Sequence, residues 1–219
     1  MKTKNINSTG ISILLLCSLM MAYTFMCMTR NCFSSAMVFI VDQGLLTKLQ
    51  TSVITAVFYV VYAILQIVGG VITDKLNPER FITIGLIGAA VSNIVIFFNQ
   101  HYVVMLLMWS FNAAMQFGVW PAVFKIVSTM LVPKMRDTSL FIATLASPAG
   151  VVSSYAVAAI VGARWQLNFL ISAIGLVAFA LIWEITVLIV KPHTTEVELV
   201  PQSDNNLVKR DVGAGKTVI

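Results

Sequence analysis

The chain has 219 residues, of which 58% are hydrophobic and 11% charged, and its mean hydropathy is +0.91. So little charge beside so much apolar side chain excludes a soluble globular domain and points to a polytopic helical membrane protein, all-α in class. The net charge of +5 sits at the ends of apolar runs, which argues for membrane topology rather than a nucleic-acid partner.

Six runs reach the roughly 20 apolar residues that a spanning helix needs, at about 12–38, 50–72, 81–98, 102–130, 139–161 and 166–190. An even count puts both termini on one side of the bilayer. Lys2, Lys4, Lys75, Arg80, Lys134, Arg136 and Lys191 flank the spans on that side, against Lys48 and Arg164 on the other. The excess of basic residues predicts that both termini are cytoplasmic, in a protein integral to the cell's inner or plasma membrane. Residues 1–190 are thus read as a six-span bundle. From Pro192 the composition turns polar, so 191–219 is read as a disordered cytoplasmic tail or linker.

The first run carries Arg30 near its middle. A guanidinium cannot shed its charge, and holding one at membrane depth costs about 3 kcal/mol on insertion scales. Two readings stay open: an anion-binding arginine facing a wet cavity, or one that snorkels or neutralises a neighbouring helix. Cys17, Cys27 and Cys32 share this run without metal spacing and read as small packing residues.

The second run holds Tyr59, Tyr62 and Gln66 and ends in Gly69-Gly70. A tight turn follows, Thr73-Asp74-Lys75-Leu76-Asn77-Pro78-Glu79-Arg80, and its shortness predicts that the second and third spans are antiparallel neighbours. The fourth run contains Asn112, Gln116, Trp120, Pro121 and Lys125, with a kink expected at Pro121. Lys125 shares its helical face with Gly118, Pro121, Ala122, Ser128 and Thr129, which fits a cavity-facing side. Snorkelling to the membrane surface is the alternative for Lys125. Asn112 and Gln116, four residues apart, suit hydrogen bonds between helices. The fifth run is kinked by Pro148, and in the sixth Glu184 lies within reach of Lys191.

No nucleophile elbow, zinc-protease helix or phosphate-binding loop occurs, and His101 and His193 fall in a turn and the tail. Nothing nominates an enzyme, a cofactor or a metal site. The chemistry on offer is recognition of a charged ligand.

The loop Gly70, Asp74, Lys75, Asn77 and Arg80 fits G-x-x-x-D-[RK]-x-[GN]-x-x-[RK], the signature loop of the major facilitator superfamily. Arg30-Asn31-Cys32-Phe33 through Ala36-Met37, then Val41-Asp42-Gln43-Gly44, resembles the R-K-N-F-x-x-A-M and V-[DE]-Q-G motifs of that superfamily's organophosphate:phosphate antiporters. Asp74 to Pro78 is similar to their D-R-x-N-P, and Gln116 with Trp120-Pro121 and Lys125 to their Q-x-x-G-W-P-x-x-x-[KR]. The resemblance implies the N-terminal six-helix half of a transporter that exchanges an organic phosphate anion for inorganic phosphate. It implies that Arg30 grips the phosphate, with Lys125, Tyr23, Gln116 and Trp120 as further contacts, and that Asp74 and Arg80 form a latch. It also implies a missing wall, because family members carry twelve spans: the chain would pair with itself, pair with a separate C-terminal half, or be a truncated product that transports nothing. The family includes receptor-like members, so a non-transporting membrane sensor is the alternative. Departures from the pattern include Met26-Cys27 where a tyrosine is usual, Gln66 at a lysine position and Ser147 at a histidine position.

Overall fold

The computed structural model describes residues 2–6, 8–75 and 77–198. Its helices are α1 (Thr9–Asp42), α2 (Lys48–Lys75), α3 (Pro78–Phe98), α4 (Tyr102–Gln116), α5 (Val119–Met130), α6 (Arg136–Val161) and α7 (Gln166–Val190). They make six spans long and apolar enough to cross a membrane, with α4 and α5 together forming the fourth, Tyr102–Met130. The six spans expected from hydropathy are therefore present.

The fourth span breaks at Phe117-Gly118, upstream of the proline expected to kink it. The pyrrolidine ring of Pro121 clashes with the carbonyl four residues before it, which belongs to Phe117, and Pro121 has no N–H to give that carbonyl. The helix restarts at Val119, so that Pro121 falls in a first turn where a missing N–H costs nothing. Pro148, by contrast, lies inside an uninterrupted α6. It takes away the helical donor for the carbonyl of Thr144.

α1 is the central post. Its inner side is rich in small and hydroxylated residues, including Ser12, Ser18, Ala22, Thr29, Cys32, Ser35 and Ala36, all buried. Ile13, Leu14, Met21 and Val38 face outward. That division is expected where lipid is as apolar as leucine, so that close packing and polar contacts rather than burial hold helices together. α1 packs on α6 and α7, while α3 packs on α7 and α4. α2 lies mainly against α4 and barely touches α3, contrary to the neighbour relation that the short turn predicted. A short turn sets the direction of the next helix. Side-chain complementarity then decides which helix each one lies beside.

A buried polar cluster ties α1 to α6 and α7. Ser35 Oγ and Ser154 Oγ are 3.1 Å apart, Asn168 Nδ2 donates to Ser35 Oγ at 3.0 Å, and Cys32 Sγ lies 2.8 Å from Ser172 Oγ. Cys27 is buried like Cys32, as expected for packing residues, whereas Cys17 is exposed. At the far end of α1, Gly44 has φ of 70°, and the N–H groups of Gly44 and Leu45 bond back to Val41 and Ile40 at 2.9 and 3.2 Å. This left-handed stop aims Gln43 across the bundle, where its amide donates to Ala163 O at 2.6 Å and its Oε1 accepts from Trp165 Nε1 at 2.9 Å.

On the opposite face two short strands meet. β1 (Lys2–Ile6) pairs antiparallel with β2 (Thr194–Glu198), placing Lys2 opposite Glu198 and Lys4 opposite Glu196. Thr194–Glu198 belong to the stretch that composition assigned to a structureless tail, and backbone pairing with β1 is what gives them order. The rest of that stretch, 199–219, lies outside the described residues. Glu184 takes its hydrogen bond from Thr83 on α3, not from the Lys191 that sequence proximity offered.

Candidate functional site

Arg30 lies two-thirds of the way along α1, half-buried. Its Nε donates to Gln116 Oε1 on α4 at 3.1 Å, and its guanidinium carbon stands 4.5 Å above the ring centre of Tyr62 on α2. Both contacts compensate a cation with neutral groups, a carbonyl dipole and a π face. Nη2 is buried and has no hydrogen-bond partner among the described residues. The arginine therefore keeps its positive charge and has donors to spare.

Tyr62 also forms part of the wall of an open cleft of about 300 Å³, lined by Tyr23, Tyr62, Gln66, Trp120, Thr144 and Ser147. These residues come from α1, α2, α5 and α6. The Tyr23 and Trp120 rings pack at 5.4 Å between centroids, tilted by 36°, and make one aromatic side. Gln66, Thr144 and Ser147 supply amide and hydroxyl groups, and Oε1 of Gln66 is buried without a partner among the described residues. An anchored cation beside aromatic and hydroxylated walls can hold a small anion bearing polar substituents.

The structure brings together four of the residues named from sequence. Arg30 and Gln116 bond directly, and Tyr23 and Trp120 line the cleft. Gln116 is fully buried, with its oxygen given to Arg30 and its nitrogen to Asn112, so it braces the arginine. Lys125 is half-buried on α5, beyond Trp120, and is not one of the residues lining this cleft. Of the loop residues, Gly70 and Arg80 are exposed, and Asn77 caps α3 by accepting from the Glu79 N–H at 3.2 Å. The side chains of Asp74 and Lys75 lie outside those described, and so does the latch expected between Asp74 and Arg80.

Sequence reading did not nominate Tyr62, Gln66, Thr144 or Ser147. A signal was there for two of them: Tyr62 and Gln66 are polar-tipped residues four apart on an apolar span, hence on one helical face. Gln66 and Ser147 depart from the family pattern, yet both line the cleft.

Comparison with known proteins agrees with this picture. The chain is 35% identical over 105 residues to a probable hexose phosphate transport protein of Chlamydia trachomatis, covering 48% of this chain and 23% of that protein. It is 30% identical over 102 residues to the membrane sensor protein UhpC of Salmonella typhimurium, covering 47% and 23%. In fold it is similar to a bacterial homologue of the human lysosomal transporter Spinster in its inward-facing, unoccupied state. That match has a TM-score of 0.72 and 19% identity, and it covers 82% of this chain and 44% of the other. The chain spans about half the length of such relatives. With the family's pattern matched from residue 19 to residue 215, the chain belongs to the Major Facilitator Superfamily.

Proposed function

We propose that the chain serves transmembrane transport of hexose phosphates or related organophosphates, in exchange for inorganic phosphate. The observation that carries this reading is Arg30, a cation at membrane depth whose partners are all neutral and whose Nη2 is unspent. A planar guanidinium suits bidentate, charge-assisted bonds to phosphate oxygens. Tyr23, Tyr62 and Trp120 offer faces to a sugar ring, and Gln66, Thr144 and Ser147 offer groups to its hydroxyls.

The chain supplies one wall of such a site. A second six-span unit supplies the other, since the cleft is open and the solved relatives are about twice as long. The basic flanks support an inner or plasma membrane location with both termini on the cytoplasmic side. The test is counterflow: proteoliposomes loaded with inorganic phosphate take up labelled glucose 6-phosphate, and liposomes without phosphate do not. Chain that neither binds nor takes up the sugar phosphate overturns the proposal.

A second reading is favoured by the similarity to sensor proteins. A sensor built on this site binds hexose phosphate at the same cleft and does not carry it. Saturable binding with no uptake selects it.

Gln66 separates ligand recognition from packing. Its buried Oε1 has no partner among the described residues, and such a group costs about 1–3 kcal/mol. Gln66→Leu is expected to stabilise the ligand-free protein by about 1 kcal/mol and to weaken sugar-phosphate binding about tenfold. Thermal unfolding and calorimetric titration in detergent read the two effects, which carry opposite signs. A variant that is less stable and binds unchanged would refute the assignment.

A further inference from the structure

Behind Arg30 runs a chain of buried neutral hydrogen bonds that leads out of the site. Arg30 Nε donates to Gln116 Oε1, Gln116 Nε2 donates to Asn112 Oδ1, and Asn112 Nδ2 donates to Ser92 Oγ at 2.6 Å. Ser92 Oγ in turn donates to the backbone oxygen of Ala89 at 2.8 Å. Gln116, Asn112 and Ser92 are all fully buried. A guanidinium can only donate, so the first bond fixes the face that the Gln116 amide turns to Arg30. That choice fixes the Asn112 amide, and Asn112 fixes the serine hydroxyl. Every bond is donated away from the cation, each amide turning its oxygen toward Arg30, and the series ends on a helix carbonyl that cannot turn round. Reversing any amide would set donor against donor in a dry interior.

We infer that Asn112 is a positioning residue for the anion site: through Gln116 it holds Arg30 by its Nε edge, with neutral dipoles only, so that the guanidinium keeps its charge and its Nη donors for the ligand. The inference rests on Arg30 as the anion anchor. It adds that the site's specificity for an anion depends on residues the ligand never touches. A carboxylate in place of either amide would fill the same space and accept the same bond, but it would have no donor to pass on and would cancel the charge.

Two variants of the full chain test this. Asn112→Asp keeps size and shape, and the groups around the relay are Arg30, Tyr23, Tyr62 and Cys27 near the site and Lys125 on α5. While ionised, the aspartate offers no donor to Ser92 and neutralises Arg30 through Gln116. Protonated, it reproduces the acceptor and donor of asparagine. The affinity of Asn112→Asp for glucose 6-phosphate, divided by that of the natural chain at the same pH, is expected to be about tenfold to hundredfold down at high pH and to recover as pH falls. The ratio removes the titration of the ligand's own phosphate. A ratio constant with pH overturns the inference, since loss of packing alone does not titrate.

The second readout needs no ligand and stands even if hexose phosphate proves to be the wrong substrate. The 15N-labelled chain in detergent is expected to give a slowly exchanging Arg30 Nε–H resonance, which Asn112→Leu broadens or loses. Ser110→Ala, which removes a bond from Ser110 Oγ to Leu106 O within α4, leaves it in place. An Arg30 resonance unchanged in Asn112→Leu overturns the relay whatever the chain transports.

Discussion

Arg30→Lys is expected to lose glucose 6-phosphate binding by on the order of a hundredfold or more, although it keeps the positive charge. Charge-assisted hydrogen bonds are each worth about 1.5–3 kcal/mol, and the substitution removes two kinds at once. The Nε bond to Gln116 disappears, so a buried amide oxygen is left without its donor. The planar stack on Tyr62 also goes, and a strongly hydrated ammonium replaces a fork that can meet two phosphate oxygens together. Arg30→Ala should go further and abolish binding while raising stability, because the cost of a cation at membrane depth is removed. Equal binding by the natural chain and Arg30→Lys, measured by calorimetric titration at low salt, would show that the guanidinium only neutralises the protein's own dipoles.

The number and extent of the spans were legible in the sequence because length and hydropathy are local properties. Arg30 stood out for the same reason: one permanent charge in an apolar run needs no structure to be noticed. Its partner could not be read that way. Arg30 and Gln116 are 86 residues apart, and both motifs were visible while the bond between them was not. The break in the fourth span was displaced from Pro121 to Phe117-Gly118 because the proline acts on the carbonyl one turn before it. The β1–β2 ribbon was missed altogether, since it pairs five-residue strands from opposite ends of the chain and neither is stable alone. Gln66 and Ser147 are departures from the family pattern, at a lysine and a histidine position. In the structure they are polar lining of the cleft, a neutral amide and a hydroxyl, and Arg30 meets that lining through the ring of Tyr62.

Gly150→Ala is expected to reduce both stability and ligand affinity, and the link between the two is the crossing of α1 and α6. A Cβ at position 150 would lie 2.6 Å from Cys27 Cβ and from the Thr24 carbonyl oxygen, and 2.7 Å from the Met28 nitrogen. Carbon atoms ordinarily sit about 3.5–4.0 Å apart, so the helices must separate by about 1 Å. No rotamer relieves this, because two of the three obstructing atoms are backbone. The contact runs from Thr24 to Met28 and ends two residues before Arg30, so separating the helices moves the guanidinium relative to Tyr62 and the cleft. Overpacking of this kind costs about 1–3 kcal/mol, and a displacement of about 1 Å at a site that needs a set geometry costs on the order of a hundredfold in function. Gly175→Ala makes the comparison fair. There an added Cβ would meet carbons of the Phe25 ring, as near as 2.2 Å, and a side chain at a helix surface can swing aside where a backbone cannot. Gly175→Ala should therefore cost some stability through the Phe25–Phe179 ring contact and leave affinity nearly unchanged. Thermal unfolding and glucose 6-phosphate titration of both variants decide the matter. If Gly150→Ala binds as tightly as Gly175→Ala, the α1–α6 crossing does not set the position of Arg30.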